Sequence, residues 1–157
     1  MARTALGILV VCVMVAASAT AMASNYYLTD LGRFDTAQVV KFRDAGVQTT
    51  EQVLESSLTE KARKLLSAKV GLTEAQVLAL AQDCELMQIN GVGPKAVTLL
   101  RAGGVKSVAD LAGRKAADLL PLLAAANKRE GFTDTDPSLD LVQYWIEEAK
   151  RVPYHLK

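Results

Sequence analysis

The sequence is poor in aromatics, histidine and cysteine, and each shortage excludes something. Aromatics make up 5% of the 157 residues, so any core is aliphatic, built from Ala, Val and Leu. The single histidine, His155, lies between Tyr154 and Leu156 near the end of the chain, where it reads as a tail residue rather than a ligand or base. No zinc-ligand spacing, nucleophile elbow or phosphate-loop glycine motif is present. Alternating strand patterns are almost missing. Four prolines and ten glycines exclude a collagen-like or proline-rich chain. With 50% apolar and 22% charged residues, the chain falls outside the low-hydrophobicity, high-charge class of disordered proteins. One folded domain is the expectation at this length.

Residues 1–23 have the pattern of a secretory signal peptide. Arg3 is a short basic leader, Ala5–Ala17 is apolar, and Ala21-Met22-Ala23 is a small-x-small cleavage site before Ser24. The competing reading is an N-terminal membrane anchor, because Thr4–Ala23 carries no charge and is just long enough to span a bilayer. Cleavage implies a periplasmic or secreted protein with no membrane span of its own, a single domain over 24–157. Removing Arg3 from the 18 Lys and Arg leaves 17, against 17 Asp and Glu. The overall basic field of many nucleic-acid binders is therefore absent, and any such contact rests on a local patch. Cys12 lies too early in the leader to be a lipidation site. Cys84 then has no disulfide partner and reads as a small buried helix residue.

The remainder reads as short helices with strong local start and stop signals. Asp35 caps a helix through Val39, Val40 and Phe42 to Ala45, ended by Gly46. Thr49 with Gln52, and Thr73 with Gln76, form capping boxes. Thr59 opens a helix carrying Ala62, Leu65 and Leu66 that stops at Gly71. The helix after Thr73 places Val77, Leu80, Ala81 and Cys84 on one face. Pro94 suits the first turn of a helix reaching Ala102, and Ser107 with Asp110 marks another start. Ala116–Glu130 is a longer helix that Pro121 is expected to bend or restart. Asp136-Pro137-Ser138 leads into a final helix, about 138–151, with Leu139, Val142, Trp145, Ile146 and Ala149 facing inward. The fold class is all-α.

An internal repeat is visible when Phe42 is set on Leu100. Phe42-Arg43-Asp44-Ala45-Gly46-Val47-Gln48-Thr49 then parallels Leu100-Arg101-Ala102-Gly103-Gly104-Val105-Lys106-Ser107. Each stretch ends one helix, turns at Gly-Val and opens a shorter one. The two units span about 28–57 and 86–115, and packed together they can bury a core that neither buries alone.

One motif carries a mechanism. In Leu86-Met87-Gln88-Ile89-Asn90-Gly91-Val92-Gly93-Pro94-Lys95, Leu86 and Ile89 face inward. Gly91 and Gly93 permit the positive φ of a tight turn, and Val92 plugs the core. The N–H groups of Gly93, Lys95 and Ala96 then point out of a helix N-terminus, where the helix dipole favours an anion. This arrangement resembles the helix-hairpin-helix motif, which implies a nucleic-acid phosphate as the anion. At the repeat offset Arg33 and Asp35 replace Gly91 and Gly93, so the first copy reads as structural, with Asp35 placing a negative charge where a phosphate would sit. Val97 stands where the motif usually has Ala.

Across residues 26–152 the order of elements also resembles a bacterial family known as domain of unknown function 4332. The resemblance is carried by Leu31, Ala45-Gly46-Val47 with Thr49-Thr50, Leu86 with Gly91-Val92-Gly93, and Gly104-Val105 with Val108 and Leu111. Asn127, Pro137 and Trp145-Ile146 with Ala149-Lys150 complete it. It implies a compact pair of hairpin units, and no catalytic residues.

Between Leu86 and Lys115 five basic residues, Lys95, Arg101, Lys106, Arg114 and Lys115, face one acid, Asp110. This positive stretch coincides with the intact glycine turn. The expectation is a non-enzymatic binding module in which Gly91, Val92, Gly93 and Lys95 seat a DNA phosphate while Arg101 and Lys106 track the backbone without sequence preference. The rival reading is a protein-contact or structural module of the cell envelope that binds no nucleic acid. The two separate on whether Lys95, Arg101 and Lys106 share one face. No metal or cofactor is expected. Asp134, Asp136 and Asp140 lack the glycine and terminal Glu of a helix–loop–helix calcium site, and adjacent Glu147 and Glu148 point in different directions. Trp145 is expected in the core rather than as a base-stacking platform. Trp145→Ala should then cost about 3–5 kcal/mol in denaturant unfolding. An unchanged melting temperature would remove Trp145 from the core.

Overall fold

A computed structural model describes residues 25–153 and residue 156. The leader read as residues 1–23 and His155 lie outside the described residues. A single 3-10 turn, Leu28–Leu31, precedes eight α-helices: α1 Thr36–Asp44, α2 Thr50–Glu55, α3 Glu60–Val70, α4 Glu74–Leu86, α5 Pro94–Ala102, α6 Val108–Ala112, α7 Ala116–Glu130 and α8 Leu139–Ala149. Among the described residues β-pairing is limited to one isolated antiparallel bridge, Tyr27 with Thr49. No described helix is long and apolar enough to cross a membrane.

Local chemistry sets most boundaries. Side chains of Asp35, Thr49, Thr59, Thr73, Ser107 and Ser138 accept a first-turn N–H and so cap six of the eight helices. Both expected capping boxes form, at Thr49 and Thr73. Of the Asp136-Pro137-Ser138 turn, Ser138 is the residue that caps α8.

The repeat extends through the packing. The offset that sets Phe42 on Leu100 also sets the first and last residues of α1, Thr36 and Asp44, on those of α5, Pro94 and Ala102. It sets the first residue of α2, Thr50, on that of α6, Val108. α2 packs on α4 as α6 packs on α8, α3 on α4 as α7 on α8, and α1 on α3 as α5 on α7. Thus α4 has two roles. Val77, Leu80, Ala81 and Cys84 close a first core with Phe42, Val53, Leu66 and Val70. Leu86 and Met87 at its end enter a second core with Leu100, Leu111, Leu123 and Trp145. Trp145 on α8 stands at the repeat position of Met87. Residues 25–28 clamp the first unit, with Thr50 N–H donating to Tyr26 O and Leu28 N–H to Gln48 O, each at 2.9 Å.

Several positions depart from the sequence reading. Of the two effects expected of Pro121, a restart does not occur: α7 runs from Ala116 to Glu130 with the proline ring on its exposed side. Leu139 is half exposed, because it is the first residue of α8 and the packed row begins a turn later at Val142. Leu65 is exposed, while Arg63 on the same helix is buried, its Nη1 donating to Ser57 O. Gly91 has a positive φ of 80°, but Gly93 is extended at φ −94°. Its lack of a side chain answers to space, because a Cβ would lie 3.0 Å from Tyr26 Oη. In the turn before α1 the left-handed residue is Gly32, one position before Arg33.

Gly103 replaces Ala45 of the first unit for a packing reason. A Cβ there would meet Leu123 Cδ2 at 2.5 Å, inside the second core. Gly103→Ala is therefore expected to destabilise by about 1–3 kcal/mol through overpacking. Thermal unfolding checks this, and a raised melting temperature would mean that Leu123 has room to yield.

Candidate functional site

The α4–α5 turn is held from three sides. Val92 is buried beneath it. Trp145 of α8 lies under Gly91, its Nε1 3.6 Å from where a Cβ would stand. That indole is 4% exposed, so it offers no face for base stacking, and its N–H finds no acceptor among the described residues. Asn90 Nδ2 donates to Tyr144 Oη at 2.9 Å, and Tyr26, from the N-terminal segment, rests its hydroxyl against Gly93.

The helix that leaves this turn starts without a side-chain cap. Gly93 is the N-cap and Pro94 the first helical residue. The N–H groups of Lys95 and Ala96 find no acceptor among the described residues. The equivalent point of the first unit differs. There Asp35 is the N-cap, and its Oδ1 accepts the Gln38 N–H at 2.7 Å. One copy of the turn carries its own carboxylate at the helix start; the other leaves that position open.

The three cations on which the two readings separate, Lys95, Arg101 and Lys106, do not share one face. Lys95 is exposed beside the uncapped N-terminus. Lys106 lies beyond the far end of α5, roughly 13 Å of helix away. Arg101 turns inward, where its Nε donates to Asp83 Oδ1, Nη1 to Lys106 O and Nη2 to Ala79 O. Arg114 is also committed, paired with Asp110 at 2.9 Å. That hydrogen bond holds the Asp110 carboxyl below its ordinary value. Lys95, Lys106 and Lys115 make no ion pair with any described residue. The strip of positive charge read from the sequence is therefore broken by two internal pairs.

The feature that the sequence reading missed is the Asp83 cluster. Asp83, on α4, is buried, and its Oδ2 accepts both Nη1 and Nη2 of Arg33 while Oδ1 accepts Arg101. Arg33 comes from the first unit's turn and Arg101 from the second unit's α5, so one carboxylate ties the two units at their seam. In the structure the second half of α4 is buried on nearly every side, though its sequence carries Gln82, Asp83 and Glu85 among the apolar residues. A charge there has to be paired.

These same elements fall within a recognised family. A family model described as "Domain of unknown function (DUF4332)" matches residues 34–152. The chain is a DUF4332 protein. No curated protein and no solved structure matches it. Two residues of the DUF4332 resemblance gain a physical reason. Asn127 is buried and fixes the α7–α8 loop through Thr133 N–H, Thr133 O and Asp136 Oδ1. Trp145 supports the α4–α5 turn. Among the described residues no group of three or more His, Cys, Asp or Glu is placed to hold a metal ion. Burial pushes the Cys84 thiol up to about 12, which leaves it protonated and unreactive at neutral pH.

Asp83→Ala would strand two guanidiniums at the seam. Both are partly exposed, which limits the penalty, and a loss of about 1–3 kcal/mol is expected in urea unfolding. A loss below about 0.5 kcal/mol would mean that apolar packing alone joins the units.

Proposed function

We propose that this DUF4332 chain is a non-enzymatic, exported binding module whose α4–α5 turn acts as a helix-hairpin-helix phosphate contact on nucleic acid. The observation that carries the reading is the contrast between the two helix starts. Asp35 supplies an anionic oxygen to α1, and the matching start of α5 has none. A backbone phosphate would take that place on the Lys95 and Ala96 amides, with the Lys95 ammonium beside it. Because Arg101 is held by Asp83, and because Val92 is buried with its N–H donated to Ile89 O, the contact narrows to Gly91, Gly93, Lys95 and the Ala96 amide, with Lys106 at a distance. Such a contact is independent of sequence and neutralises only one or two phosphates.

A second reading, a protein-contact module of the cell envelope, is the one that the separation of Lys95, Arg101 and Lys106 onto different faces favours. Titration of the chain from Ser24 onward against labelled single- and double-stranded DNA separates the two. The phosphate reading expects weak binding that falls about threefold to tenfold between roughly 50 and 200 mM salt, as one or two released counterions require. It also expects loss of binding in Gly93→Asp, which reproduces the Asp35 arrangement, and in Lys95→Glu. Absence of binding at the lower salt, or undiminished binding by both folded variants, would overturn it in favour of a protein partner.

A further inference from the structure

The seam around Asp83 is more than a structural tie. A cleft of about 300 Å³ opens between the first unit's turn, the end of α4 and α5, with Leu31, Met87 and Val97 among its walls and Arg33, Asp83 and Arg101 along one side. That volume is at the small end of ligand pockets. Two guanidiniums share one carboxylate, so a formal charge of +1 remains in the cluster. Both oxygens of Asp83 are already accepting hydrogen bonds. Arg33 uses two of the five N–H groups of a guanidinium and Arg101 uses three, which leaves donors in excess of acceptors. The Arg33 guanidinium also sits 5.8 Å from the Phe34 ring centroid, which restricts its plane. Asp35, in the neighbouring cleft that Arg33 also lines, directs Oδ1 to its own helix cap.

We propose that this cleft binds a short-chain organic carboxylate, its head on the unused N–H groups of Arg33 and Arg101 and its chain over Leu31, Met87 and Val97. A planar guanidinium edge matches a carboxylate, and one negative charge balances the cluster. The apolar walls favour a ligand with a hydrocarbon body over a bare inorganic anion. The proposal is independent of the phosphate contact at the α4–α5 turn.

The test is an amide-resolved NMR titration of the chain from Ser24 onward, which contains every described element. The probes are sodium hexanoate, hexan-1-ol and inorganic phosphate. Saturable shifts at Leu31, Met87, Val97 and Thr98 are expected with hexanoate, and about tenfold weaker or absent with the alcohol and with phosphate. Arg33→Gln should weaken hexanoate about tenfold or more. Thr98→Phe, at an exposed position on the rim, should block the cleft and remove binding even where Arg33→Gln unfolds. Lys95→Glu should leave hexanoate binding intact. Equal binding of hexanol and hexanoate, phosphate binding as tightly, shifts located elsewhere, or no saturation with hexanoate would each overturn the proposal.

Discussion

A buried carboxylate cannot stand alone, and Asp83 is buried on the helix that both units share. Its two partners come from opposite sides of the seam, one from the turn before α1 and one from the last turn of α5. The pairing therefore fixes how the first unit's turn is presented to the second unit, and with it the apolar side chains on either side. Leu31 packs against both cores, a contact that is possible only when the two units are held in one relative placement. The same commitment ties the partly exposed Arg101 to the seam at the far end of α5 from the α4–α5 turn. What remains at that turn is a single uncapped helix start with one lysine, not a basic track.

The two turns show how duplication allows division of labour. Both open a helix of the same length on an apolar plug, Phe34 in one and Val92 in the other. In the first, the plug meets Phe42 in a tilted ring contact with centroids 5.1 Å apart, and the helix start is closed by Asp35. In the second, small residues and proline leave the start open, while α8 and Tyr26 support it from below and beside. The first helix start is satisfied from within the chain, and the second leaves its first-turn amides open.

The parts of this arrangement that were legible in the sequence are those decided by near neighbours. Caps at Asp35, Thr49, Thr59, Thr73, Ser107 and Ser138 and the left-handed turns at Gly46, Gly71 and Gly91 depend on the chain immediately around them. The parts that were not legible are decided by residues far apart. Arg33 and Asp83 are 50 positions apart and Arg101 and Asp83 are 18, so spacing alone gives no hint that these charges meet. The extended conformation of Gly93 follows from the presence of Tyr26, which a turn motif does not specify. Leu65 and Leu139 have the right period, but Leu65 lies outside the packed face and Leu139 lies a turn ahead of where the packed row begins. Helical periodicity marks a stripe without saying where the neighbouring helix stops.

The chain has one tryptophan, and it lies in the second core under Gly91. Its emission therefore reports the second unit and is blind to the first, while backbone circular dichroism sums over both. If the ion cluster at the seam makes the two units one cooperative body, the two signals change together during unfolding. If the first unit opens alone, the dichroism moves first. A single indole thus converts an ordinary unfolding experiment into a direct reading of how tightly the two halves are coupled.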